Sequence, residues 1–111
     1  MVDLESTVFK MARNFQLNGK RALVTGDNDI AQAIRVALSD EGALVSKELS
    51  GPIDILVNAA SEIHVPSNTP IDASSEIWAE DMARHFEAPR QLTHTALPDM
   101  IDNGFGRIIN V

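Results

Sequence analysis

The chain has 111 residues, a formal net charge of −7 and a hydrophobic content of 44%. These values are typical of one globular domain, and a surface this acidic repels nucleic acid and anionic membranes, so neither is expected as a partner. The sequence has no cysteine, which excludes disulfides and thiolate metal sites. Its acidic N-terminus resembles no secretory signal and no apolar run approaches the ~20 residues of a membrane span, so we expect a cytoplasmic location.

The first part of the chain predicts a helix, a strand and a second helix. Residues 1–16 read as an N-terminal helix and lead-in, because the apolar side chains of 3–15 recur at helical spacing. Residues 21–25 form a short apolar run typical of a strand that is covered on both faces. Gly26 permits a tight turn, and a helix is predicted from about 28 to 41, with Asp27 or Asn28 as its cap.

Two further apolar segments are candidate strands of the sheet. Residues 53–58 are rich in β-branched side chains and predict a strand, whereas 43–46 is a possible strand. Parallel strands need a crossover of about a dozen residues, and only about six separate these two segments. Both therefore cannot be full-length parallel neighbours, and we expect 43–46 to be a loop or a very short strand.

The second half of the chain predicts a loop, a long helix and a last strand. Residues 61–73 read as loop, and the helix should begin at Ser74 or Ser75 and run towards Asp102, with a kink at Pro89. Residues 107–111 form the last strand. Strands that alternate with helices indicate an α/β fold with a parallel sheet. The apolar stripe of the long helix, expected as core or as a helix-packing face, comprises Trp78, Met82, Phe86, Leu92, Leu97, Met100 and Ile101.

Four motifs together resemble the N-terminal part of the short-chain dehydrogenase/reductase family. In chain order they are LNGKRALVTG (17–26), IDILVNAA (53–60), ALPDM (96–100) and GRIINV (106–111). The resemblance implies a single, incomplete Rossmann-like domain over 1–111, with a parallel sheet of about three to four strands and flanking helices. It also implies NAD or NADP as cofactor and the reversible oxidation of an alcohol to a carbonyl. The cofactor-binding positions that it assigns are Gly26, Ile30, Asn58 and Ala60.

The turn after the first strand departs from the family pattern. It is one residue shorter than the family's glycine-rich turn and keeps only its first glycine, with Ala31 in place of the last one. Close approach of the backbone to a pyrophosphate depends on those glycines. Asp27 and Asp29 add carboxylates, and one placed ~5 Å from a phosphate costs on the order of 3 kcal/mol at an effective dielectric near 20. Affinity for the cofactor should then fall roughly a hundredfold.

The family's catalytic serine, tyrosine and lysine lie beyond its GRIINV strand, and this sequence contains no tyrosine. No catalytic residue is therefore assigned, and we expect a fragment or degenerate copy of an NAD(P)-dependent oxidoreductase that is inactive alone. The alternative is a non-catalytic interaction module, which pairs with a second copy or a full-length relative through helix 75–102. His85 stands where the family has a structural asparagine and is expected as a partly buried helix residue. The three histidines lack metal-ligand spacing, so no metal site is assigned.

Overall fold

The computed structural model describes residues 17–60 and 75–111. The helix predicted over 3–15 and the loop predicted over 61–73 lie outside these described residues. Strands and helices alternate in the described part, as the sequence predicts. In chain order the elements are β1 (Arg21–Val24), α1 (Asp29–Asp40), β2 (Leu44–Ser46), β3 (Ile55–Asn58), α2 (Ser75–Met82), a π-helical segment (Ala83–Glu87), α3 (Ala88–Asn103) and β4 (Arg107–Asn110).

The four strands form one parallel sheet with the order β2-β1-β3-β4. Leu23 of β1 pairs with Ser46 of β2 on one side and with Leu56 of β3 on the other. The chain thus winds outwards from β1 in both directions, and the winding reverses between β1 and β3. This arrangement confirms the shortened Rossmann-like α/β fold, with helices that flank a parallel sheet.

The segment predicted as loop or very short strand is a strand of three residues, β2. It is joined to β3 by residues 47–54, which contain no helix. Three residues rise ~10 Å and two strand spacings add ~10 Å sideways, so the return distance is ~14 Å. Eight extended residues reach ~26 Å, which suffices because β2 is so short. The usual length of a parallel crossover is therefore not required here.

Apolar side chains cover both faces of the sheet. On one face α1 packs against β1 and β3, and the buried residues there are Ala22, Val24, Ala31, Ala43, Ile55, Val57 and Ala59. On the other face α3 packs through Ala96 and Met100 onto Leu23, Ile53 and Leu56. Strands β1 and β3 are therefore buried on both sides, which explains their uninterrupted apolar sequences. Among the described residues, no helix is long and apolar enough to cross a membrane.

The long helix contains an irregular segment near the predicted kink. The helix runs from Ser75 to Asn103, and its π-helical segment ends two residues before Pro89, where a kink was predicted. The ring of a proline crowds the carbonyl four residues earlier, and a wider helical turn relieves that contact. Gly104, with φ 67°, ends the helix in the left-handed conformation.

The apolar stripe of this helix is only partly core. Trp78, Met82 and Phe86 are 58%, 54% and 57% exposed, so of the two predicted alternatives the core is wrong for these three residues, and the helix-packing face stays a prediction. The helix reaches the sheet only through its later turns, where Leu92 and the buried residues of α3 pack. His85, expected as partly buried, is also exposed. These side chains lie on helical turns that precede the contact with the sheet.

Candidate functional site

The turn after β1 is held against the segment that follows β3. Gly26 has φ 99°, and a Cβ atom at this position would lie 2.6 Å from the carbonyl oxygen of Ala59. The Thr25 hydroxyl accepts a hydrogen bond from the Ala59 amide at 3.1 Å, and the Thr25 amide donates to Val57. Both the backbone conformation and the close contact therefore require glycine at position 26.

Asn28 connects this turn to both neighbouring elements. Its side-chain oxygen accepts a hydrogen bond from the amide of Ala31 at 2.8 Å, which caps the start of α1. Its side-chain nitrogen donates to the carbonyl of Ala59, also at 2.8 Å. Of the two caps that the sequence offered, Asn28 is the one observed. One of the free amides in the first turn of α1 is thus satisfied from within the chain.

The two carboxylates of the turn and the side chain of Ile30 are exposed, whereas Ala31 is buried. Asp27 and Asp29 are exposed, and Ile30 is 58% exposed at the start of α1. Ala31, which takes the place of a family glycine, is fully buried against the sheet. The carboxylates therefore lie in water at the rim of the turn, where their charges are screened more strongly than inside the protein.

Below the turn lies Arg35, a residue that the sequence reasoning missed. Only 8% of it is exposed, and its guanidinium donates hydrogen bonds to the carbonyls of Val24 (3.0 Å) and Gly26. A third, longer bond reaches the side chain of Gln32. A signal was present in the sequence, because Arg35 follows Ala31 by four residues and so shares the buried face of α1.

A cavity of about 380 Å³ opens beside the carboxyl ends of β3 and β4. Its walls include Asn58 and Asn110 from the strands, and Arg84, His85 and Pro89 from the helical side. The side-chain nitrogen of Asn58 donates to the side-chain oxygen of Asn110 at 2.8 Å. The side-chain oxygen of Asn58 is buried and has no partner among the described residues. A ligand in this cavity with an N–H or O–H group would satisfy it.

One ion pair stands at the rim of this cavity. The guanidinium of Arg90 binds Glu87 through both carboxylate oxygens, with N–O distances of 2.7 to 3.0 Å. These hydrogen bonds lower the pKa of the Glu87 carboxyl and raise the pKa of Arg90. Both side chains are exposed or half-buried, so the pair adds little to stability, but it neutralises one of the two arginines beside the cavity.

The structure brings three of the four predicted cofactor-binding residues to one edge of the sheet. A Cβ at Gly26 would lie 3.0 Å from the Cα of Ala60, and Asn58 and Ala60 both line the cavity. Ile30 lies apart from them, on the first turn of α1. This edge holds the carboxyl ends of β1 and β3, where the winding of the sheet reverses. Open α/β sheets bind their ligands at this position.

Comparison with known proteins agrees with this architecture. The family model for short chain dehydrogenase matches residues 10–111. A fatty acyl-CoA reductase of Mycobacterium tuberculosis is 34% identical over 97 residues, which cover 79% of this chain and 32% of the reductase. The chain therefore spans about a third of the length of this curated relative. On the strength of the family match, this chain belongs to the short-chain dehydrogenase family.

Proposed function

We propose that this chain is the dinucleotide-binding part of an NAD(P)-dependent oxidoreductase that acts on alcohol or carbonyl groups. Family membership supports the reaction class, and the relative's name, fatty acyl-CoA reductase, suggests a fatty acyl substrate. The observation that carries the proposal is the contact at Gly26. A Cβ atom at this position would lie only 2.6 Å from the carbonyl oxygen of Ala59. Only a glycine allows this close contact, and the contact supports the proposal because it holds the first turn of α1 at the edge of the sheet where such folds bind phosphate groups.

The residues at this edge fit a dinucleotide. Its diphosphate would lie over the Gly26 turn and the start of α1, where the helix dipole favours an anion. Asn58 and Ala60 would hold the nicotinamide end in the cavity, since the buried oxygen of Asn58 has no donor among the described residues. When bound, the cofactor supplies hydride transfer. The chain's own contribution is to bind the cofactor and to orient it.

The two carboxylates of the turn reduce this affinity without abolishing it. A carboxylate ~5 Å from a phosphate costs about 3 kcal/mol at a dielectric near 20, but only about 1 kcal/mol in water. Asp27 and Asp29 are exposed, so the smaller cost applies. We therefore expect binding in the weak range for such cofactors, rather than its loss.

We further propose that the 111 residues do not turn over substrate by themselves. They include no tyrosine, so the family's proton transfer from a tyrosine would need residues outside this sequence. No described residue is assigned a catalytic role. NAD or NADP binding without turnover is the behaviour that distinguishes this proposal from a complete enzyme.

The proposal is tested by titrating NADH and NADPH into the purified chain and following the fluorescence of the nicotinamide. We expect saturable binding that Gly26→Val abolishes, because its side chain would collide with the backbone after β3. Gly104→Val is the matched control, since Gly104 also has a positive φ but its Cβ would meet no heavy atom of residues 17–60 or 75–111 within 4 Å. A wild-type chain that binds neither cofactor, or a Gly26→Val variant that binds normally, would overturn the site. Oxidation of NADH with a fatty acyl-CoA or a fatty aldehyde would contradict inactivity.

A second function is favoured by the exposed stripe on the long helix. Trp78, Met82 and Phe86 recur every four residues and are each more than half exposed, which is unusual for three large apolar side chains in a row. We propose that a second copy of this helix covers them. The chain would then act as an interaction module whether or not it binds a cofactor.

The charges beside the stripe suit an antiparallel pair of copies. Helix α2 carries three acidic residues, whereas the π-helical segment adds Arg84 and His85. Across a two-fold axis near Met82, the acidic turns of one copy would face the basic turn of the other. The same axis would place Trp78 against the partner's Phe86, so that the apolar side chains meet at the centre and the charges flank them.

Sedimentation velocity tests this interface. Wild-type chain should sediment as a dimer, and the double substitution Met82→Asp and Phe86→Asp should give monomers with an unchanged circular dichroism spectrum. Val36→Asp, which changes a half-exposed side chain of α1, is the control and should leave the dimer intact. A monomeric wild-type chain would refute self-association, and an intact dimer after the double substitution would place the interface elsewhere. Pairing with a full-length relative would instead appear as a mixed complex.

A further inference from the structure

The buried guanidinium below the Gly26 turn requires an explanation. Arginine is almost never this deeply buried unless it is paired with a carboxylate, because removing its charge from water is costly. Arg35 is 8% exposed, and among residues 17–60 and 75–111 no carboxylate lies within ion-pair distance of it. Its hydrogen bonds go to neutral groups: two backbone carbonyls and an amide side chain. Its Nε atom is buried without any partner in the same part of the chain.

The position of this charge is specific. The Nη2 atom of Arg35 binds the carbonyl of Gly26, so the cation lies directly beneath the turn. The first amides of α1 start on the other side of the same turn, after the Asn28 cap. Both features make the potential at the turn positive, and a low-dielectric surrounding strengthens the effect of a buried charge. The two exposed carboxylates act against it from solvent, where they are better screened.

We propose that Arg35 supplies a positive charge that enables the shortened, glycine-poor turn to bind a diphosphate. The inference rests on the proposed nucleotide-binding function. Arg35 is a positioning residue: it fixes the carbonyls of Val24 and Gly26 and acts on the anion through the turn, without touching it. In this way a buried cation takes over part of the work that glycine amides do elsewhere in such folds.

Three variants separate the charge of Arg35 from its hydrogen bonds. Arg35→Lys keeps the charge and loses the planar fork, whereas Arg35→Gln keeps a donor for the carbonyls and loses the charge. Arg107→Met removes a positive charge at the opposite, amino end of the strands and is the control. Each variant is titrated with NADH by fluorescence and with inorganic pyrophosphate by calorimetry, and its fold is checked by thermal melting.

We expect Arg35→Gln to weaken binding of both probes by about tenfold or more, which corresponds to about 1.4 kcal/mol. Arg35→Lys should remain within about threefold of wild type, and Arg107→Met should be unchanged, because its charge is distant and screened. A purely structural role would make the Lys and Gln variants equally weak, and that result overturns the inference. Normal binding by Arg35→Gln overturns it as well.

Failure of the proposed function and failure of the inference about Arg35 give different binding results. If the wild-type chain binds neither NADH nor pyrophosphate, the proposed nucleotide-binding function is refuted, and the inference about Arg35 is refuted with it. If wild type binds and Arg35→Gln does not melt cooperatively, Arg35→Lys decides alone. Affinity within about threefold of wild type then supports the role of the charge, and a loss of about tenfold or more refutes it.

Discussion

Replacing Gly26 by alanine tests the most closely packed contact of the site. The new Cβ would lie 2.6 Å from the carbonyl oxygen of Ala59 and 3.0 Å from the Cα of Ala60, and both are backbone atoms that cannot rotate away. The φ of 99° adds a conformational cost of about 1–2 kcal/mol for a residue with a side chain. Moving the two chain segments apart should cost a further 1–3 kcal/mol, roughly the price of overpacking a core.

The sum, about 2–5 kcal/mol, is a large share of the roughly 5–15 kcal/mol that stabilises a domain of this size. Urea unfolding followed by far-ultraviolet circular dichroism measures it directly. Gly104→Ala provides the reference, because its φ is also positive but its Cβ would meet no heavy atom of the described part of the chain within 4 Å. It should lose only the conformational term. Equal destabilisation by the two substitutions would refute the close approach of the segments after β1 and β3.

Three further predictions concern other contacts. Asn28→Ala should destabilise the chain by about 1–2 kcal/mol, whereas Asn28→Asp, which keeps the helix cap but not the donor to the segment after β3, should lose less in the same urea assay. Gly106→Ala places a Cβ 2.7 Å from the buried methionine of α3, and thermal melting should show a lower Tm that truncation of that methionine partly restores. The carboxyl of Glu87 should titrate below the usual glutamate pKa in a carbon-detected NMR titration, and Arg90→Met should raise its pKa. Because this pKa is lowered in the folded chain, the pair stabilises the fold at pH values above the usual glutamate pKa. This stabilisation is lost as the pH falls through the lowered value.

The elements of the sheet were predictable wherever burial on both faces leaves an unbroken apolar sequence. Strands β1 and β3 have this pattern, and both lie within about two residues of their predicted bounds. Strand β2 was predictable only as a short or absent strand, because its three residues are exposed or half-buried and carry little pattern. Its pairing with β1 depends on the neighbouring strand and not on its own sequence.

The candidate site was predictable as far as local motifs reach. Gly26, Asn58 and Ala60 were assigned from the family motifs, and the structure brings them to one edge. The burial of Arg35 was missed because an arginine at a helical position is usually solvent-exposed, although its spacing from Ala31 places it on the buried face of α1. For the stripe around Met82 the sequence left core and a helix-packing face open, since apolar periodicity indicates a packing face but not what packs against it.

The bridge between β2 and β3 shows where this fold tolerates changes in chain length. Residues 47–54 cross the sheet on the side of α3, with Gly51 and Pro52 beside Thr95 in a shallow surface depression. The order β2-β1-β3-β4 forms although residues 47–54 contain no helix, so a helical crossover is not required to bring β3 to the other side of β1. Gly51 and Pro52 therefore mark a suitable insertion site for a longer crossover, because the candidate site lies at the opposite, carboxyl ends of the strands.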